Sequence, residues 1–238
     1  MGNHQNVTKP TDAAAPTVSA HVAEVVAELK PRMRGWLHAA TAPLALVGGI
    51  LLVLLSPAGT PRTGSAIFAA CALVLFSVSA TMHRGGWSPR MELVLTRMDH
   101  ASIFLLIAGS YTPFSLLLLE GQDRVVLLTV AWSGAALGIA FRLFCPGAPR
   151  WVYTPIYIAL GWAAVFFAGD FARYPDTPVV VLLALGGFLY TVGGVVYGLR
   201  RPNPIPQWFG FHEVFHMLTV VAFAAHYTGV SIAAYSLR

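Results

Sequence analysis

The chain has 238 residues, of which 56% are hydrophobic and only 11% charged, and its mean hydropathy is +0.66. A soluble domain carries about a quarter charged residues, so this composition excludes an ordinary soluble enzyme and points to an integral membrane protein. The formal charge of +5 comes from 15 basic and 10 acidic residues scattered between apolar runs, without a polybasic block. That excess reads as a topology signal and not as a nucleic-acid surface.

Residues 1–17 are rich in Thr, Ala, Pro and Asn without periodicity, which predicts a disordered tail and no cleavable signal peptide. Over residues 18–34, Val18, Val22, Val25, Val26 and Leu29 recur at helical spacing, with Glu24 and Glu28 off the stripe. This predicts a short amphipathic cytoplasmic helix on the bilayer surface, ended by Pro31. Seven apolar runs follow, at about 37–56, 64–83, 98–119, 125–144, 152–169, 178–199 and 211–235. Each approaches the roughly 20 residues a helix needs to cross the hydrocarbon. The expected fold over 35–238 is therefore an all-α bundle of seven transmembrane helices.

Short connectors rich in Pro, Gly and Arg favour packing between sequence neighbours. Gly186, Gly187, Gly193 and Gly194 on the sixth run allow close backbone approach. Cys71 and Cys145 make neither a disulfide framework nor a zinc spacing. Ten basic residues (Lys30, Arg32, Arg34, Arg84, Arg90, Arg97, Arg142, Arg150, Arg200 and Arg201) fall on one side of this layout. Four (Arg62, Arg124, Arg173 and Arg238) fall on the other. The asymmetry predicts a cytoplasmic N-terminus and an outside C-terminus.

With that orientation, ionisable groups gather at one leaflet. His38 opens the first run, His83 ends the second, Asp99 and His100 open the third, and His212 and His216 open the seventh. His212 and His216 are i and i+4, so one helix face offers two imidazoles to a metal ion, and with Glu213 they also read H-E-x-x-H. Ser79 and His83 share a face in the same way, as do Asp99 and Ser102. Taken singly, each has a plain structural explanation. Asp99 suits a helix N-terminus, His83 with Arg84 an interfacial anchor, and the other histidines contact with headgroups. Taken together, three histidines and an acid make a site with an open fourth position, as in catalytic zinc centres. His226 lies 14 residues past His212, roughly 21 Å deeper, and stands apart.

Four stretches carry a family likeness: Ser79–His83, Arg97–His100 running on to Gly109–Pro113, Gly193–Tyr197, and Phe209–His216. In combination the sequence resembles the hemolysin III family, the bacterial branch of the progestin and adiponectin receptor (PAQR) superfamily. One departure is Met82, where that family often has tyrosine. The resemblance implies seven spans in the cytoplasmic membrane of a bacterium, with the N-terminus inside and zinc near the cytoplasmic face. By this likeness His83, His212 and His216 hold the metal, Asp99 holds a water, and Ser79 matches the family's serine. It also implies a ceramide-cleaving amide hydrolase for the receptor relatives. For the hemolysin III members it implies a hemolytic label and a role in membrane-lipid homeostasis.

The leading expectation is a zinc-dependent hydrolase of lipid amides or esters, its fatty-acyl substrate entering from the bilayer. Asp99 would act as base, and Ser79 would polarise the carbonyl. The rivals are an intramembrane protease with Glu213 as base, a homeostasis sensor or receptor with structural zinc, and a pore-forming cytolysin.

Overall fold

A computed structural model describes residues 31–238; the expected tail and the amphipathic stretch up to residue 30 lie outside the described residues. Among the described residues, seven helical spans are long and apolar enough to cross a membrane. They are α1 (Trp36–Leu55), α2 (Thr60–Arg84), α3 (Pro89–Leu118), α4 (Gly121–Phe144), α5 (Arg150–Phe171), α6 (Thr177–Leu199) and α7 (Phe211–Tyr235). The all-α seven-span expectation is met. Within α5, the α-helix stops at Gly161, passes through a 3₁₀ stretch over Ala163–Phe167, and resumes over Ala168–Phe171.

Sequence neighbours pack side by side from α1 to α4 and again from α5 to α7, as the short connectors require. The last helix closes the bundle against α1, α2 and α3. α3 is the central helix. Its most apolar window is 72% buried against the protein and that of α7 is 50% buried, whereas the other five lie between 22% and 39%. Phe68, Phe76 and Phe114 pack against α7 in the interior, and Phe104 of α3 packs against Gly138 of α4 and Tyr157 of α5. Leu44, Leu54, Leu137 and Phe166 point outward, as lipid-facing positions should. Exposed Trp36, Trp87, Trp151 and Trp208 sit at or near the ends of spans, where indole suits the membrane interface.

The third helix starts at Pro89, well ahead of the apolar run expected from 98. Ser88 caps it by accepting from the Met91 N–H, Pro89 is pre-set for the first helical position, and Glu92 lies in the first turn. Hydropathy alone passes over this polar opening. Asp99 and His100 therefore do not open α3 as expected; they sit about 15 Å along it, facing the neighbouring helices.

Two local devices fix the end where the histidines lie. Gly35, with φ +80°, turns the chain into α1 against α2; a Cβ there would come within 2.5 Å of the His83 Cβ. The segment before α1 is tied to the segment before α7 by Arg32 N–H to Gln207 C=O (3.0 Å) and Met33 N–H to Trp208 C=O (3.2 Å).

Candidate metal centre

Three spans supply the candidate residues, each from its inward face. α2 delivers Ser79 and His83, both buried, one turn apart. From α3 comes Asp99, its side chain 14% exposed. The first two turns of α7 carry His212 and His216.

His83, His212 and His216 form a buried group whose three ligand atoms all lie within 4.8 Å of one another. Nε2 of His83 and Nε2 of His212 are 3.1 Å apart. The His212 and His216 ring centroids are 4.4 Å apart, and the His83 ring lies 4.7 and 5.2 Å from them. A tetrahedral zinc with bonds of 2.0–2.1 Å places its ligand nitrogens about 3.4 Å apart. The donor type, count, burial and spacing therefore fit zinc.

Asp99 Oδ2 lies 3.8 Å from His83 Nε2, within reach of the trio and outside hydrogen-bonding distance of that nitrogen. Ser79 lies beside Asp99, and both line the same cavity as His212 and His216. All five residues singled out as candidate site residues thus converge, from three different helices.

His38 joins them. It is 2% exposed, and its ring stacks on His216 at 3.7 Å with an interplanar angle of 8°. Phe76 meets the same His38 ring edge-on at 5.1 Å. The stack holds the His216 plane, so α1 orients a ring that α7 supplies.

Glu213 faces a different task. It is 1% exposed, and both carboxylate oxygens are engaged. Arg34 Nε donates to Oε1 at 2.5 Å, and the Gly210 N–H donates to Oε2 at 2.9 Å. Asn203 Oδ1 accepts from the Phe211 N–H at 2.8 Å. Glu213 therefore pins the first turn of α7, on which His212 stands.

A second layer lies behind Asp99. His100 Nδ1 accepts from Arg142 Nη2 at 2.8 Å, since a guanidinium has only donors. The ring proton then sits on Nε2, which reaches the Tyr197 hydroxyl at 3.2 Å; that hydroxyl is 3.1 Å from Tyr153 Oη. The Tyr157 hydroxyl donates to the His100 carbonyl at 3.0 Å. Arg142 is 2% exposed, and its guanidinium lies 4.3 Å from the Tyr153 ring centroid. In the sequence Arg142 reads as a topology charge and His100 as one of the ionisable groups gathered at one leaflet, its role open; the signal for their pairing is that both fall at the end that holds the histidines.

From His212 and His216, an apolar cavity of about 430 Å³ runs into the bundle between α3, α5, α6 and α7 and reaches His226. Trp162, Val165 and Phe188 line it while remaining more than half exposed on the outer surface, so it opens sideways between α5 and α6.

The model of the family described as haemolysin-III related matches residues 26–227. Hemolysin-3 of Bacillus cereus is 32% identical over 151 residues, covering 62% of this chain and 69% of that protein. The hemolysin-3 homolog of Bacillus subtilis is 34% identical over 159 residues, covering 67% and 71%. The adiponectin receptor protein of Drosophila melanogaster is 28% identical over 164 residues, covering 60% of this chain and 36% of its own length. The family match spans most of the chain, including all the residues of the histidine trio, and this seven-span membrane protein belongs to the hemolysin III family within the PAQR superfamily.

Proposed function

We propose that the chain is a zinc-dependent hydrolase of membrane-lipid amides or esters, working from the cytoplasmic leaflet in membrane-lipid homeostasis. The observation that carries this reading is the meeting of a three-imidazole donor set, a nearby carboxylate and an apolar cavity open to the side. Zinc held by His83, His212 and His216 would supply Lewis acidity, bringing the pKa of a water towards about 7.

The chain's own residues do the rest. Asp99 accepts the proton of the attacking water on Oδ2 and returns it to the leaving amine or alkoxide. The Ser79 hydroxyl donates to the substrate carbonyl oxygen. His38 keeps the His216 ring in plane. Acyl chains pass between Trp162 and Phe188 and lie along Ile103, Ile107 and Leu183, where water is excluded. A cavity of this size and apolar lining suits part of a lipid chain.

The rival chemistries have less support. Glu213 has both oxygens committed to Arg34 and Gly210, which leaves a protease no free base there. A pore would have to displace the fully buried Phe68, Phe76 and Phe104.

The test is Asp99→Asn, assayed by lipid mass spectrometry on purified protein in vesicles containing ceramide and ester lipids. Asparagine keeps the shape but takes no proton, so hydrolysis should fall by roughly 10²–10⁴ with zinc content unchanged. Loss of zinc in this variant would make Asp99 a direct ligand and favour a structural centre in a sensor. Unchanged turnover would remove Asp99 from the mechanism.

A further inference from the structure

The distal end of the cavity carries a polar cluster that hydrolysis at the trio leaves unused. His226 stands on α7 ten residues beyond His216, about 15 Å along the axis, and is 5% exposed. Its Nε2–H donates to the Leu183 carbonyl at 3.2 Å, which makes Nδ1 an acceptor. Nδ1 is buried with no hydrogen-bond partner among the described residues, and the same holds for the Tyr190 hydroxyl of α6 and the Ser110 hydroxyl of α3.

All three residues line the cavity. The Tyr190 and His226 rings are 5.5 Å apart, and Phe114, one turn beyond Ser110, meets His226 edge-on at 5.4 Å. The place is built for the imidazole. A Cβ at Gly186 would lie 2.1 Å from the His226 Cδ2, so only glycine lets the ring seat between α6 and α7.

An acceptor nitrogen that shares its cavity with two partnerless hydroxyls suits a group that both donates and accepts. A carboxylate would set its lone pairs against that of Nδ1, and an ammonium would be stripped of water in an apolar cavity. A ligand hydroxyl satisfies the set by donating to Nδ1 and accepting from Tyr190 or Ser110.

We propose that this cluster recognises a hydroxyl carried partway along the acyl chain of the lipid in the cavity. The axial distance from His216 corresponds to about ten to twelve extended carbon atoms between that hydroxyl and the carbonyl end held at the trio. The inference rests on reading the cavity as an acyl-chain site. It narrows the substrate class to mid-chain hydroxylated lipids.

The experiment measures binding of radiolabelled octadecanoate, 3-hydroxyoctadecanoate and 12-hydroxyoctadecanoate to the full chain in nanodiscs. The 12-hydroxy acid should bind roughly tenfold tighter than the other two, as one or two buried hydrogen bonds provide. Tyr190→Phe, which removes a single oxygen, should reduce that preference, and His226→Phe should abolish it while all three acids still bind. Equal binding of the three acids to the wild type would overturn this inference alone. Preference that survives both variants would also overturn it. Failure of all three to bind would overturn the acyl-chain reading of the cavity, and this inference with it.

Discussion

Arg34 and Glu213 offer a sharp test of what the acid in the His-Glu-x-x-His stretch does. The carboxylate is 1% exposed, whereas the Arg34 side chain is 21% exposed. Removal of the two partners should therefore be unequal. In Arg34→Met, Glu213 is left buried without its cation, a change that costs about 3–5 kcal/mol. For a chain of this size that corresponds to a fall of roughly 6–20 °C in Tm. In Glu213→Gln, the guanidinium can turn towards water, and the loss is nearer that of one charged hydrogen bond, about 1.5–3 kcal/mol. The double variant Arg34→Met/Glu213→Gln should be more stable than Arg34→Met, because the stranded charge is gone. Cys71 is buried and Cys145 exposed, so thermal unfolding can be followed with a thiol-reactive dye in a Cys145→Ser background. A double variant no more stable than Arg34→Met would refute the buried-pair reasoning. Wild-type stability in Glu213→Gln together with lost hydrolysis would make Glu213 a chemical group and revive the protease reading.

Two further perturbations follow from the geometry. His38→Ala removes the ring stacked on His216 and should weaken zinc affinity by about 10–100-fold, as loss of a group orienting a ligand does; His38→Phe keeps the stack and should lose much less. Competition with a calibrated zinc chelator measures both, and equal loss in the two variants would mean that the His38 nitrogens matter and not its plane. The ten-to-four basic asymmetry predicts an outside C-terminus. A reporter active only in the cytoplasm should therefore be silent when fused after Arg238, and an active fusion would place the trio at the outer leaflet.

Hydropathy made the seven spans legible, because lipid-facing and buried positions alike must be apolar. It misplaced the start of α3, where Ser88-Pro89 caps a polar first stretch that no apolar window registers. The site was legible to the extent that its chemistry is local. His212 and His216 announce a shared face by their spacing, as do Ser79 and His83. Long-range partners were not legible. Arg34 meets Glu213 across 179 residues of sequence, and His38 stacks on His216 from the opposite end of the chain. Arg142 reads as one more charge at a helix end, yet it is buried on His100. His226 stands apart in the sequence by depth alone, and only the packing of α3, α6 and α7 brings it to the Tyr190 ring and into one cavity with Ser110.

The central claim is that His83, His212 and His216 hold one zinc ion. Elemental analysis of the purified chain tests it directly, comparing wild type with a His212→Ala/His216→Ala variant shown to fold by its thermal transition. About one zinc per wild-type chain and none in the variant is the expected result. A wild type without zinc, or a variant that keeps full occupancy, would contradict it.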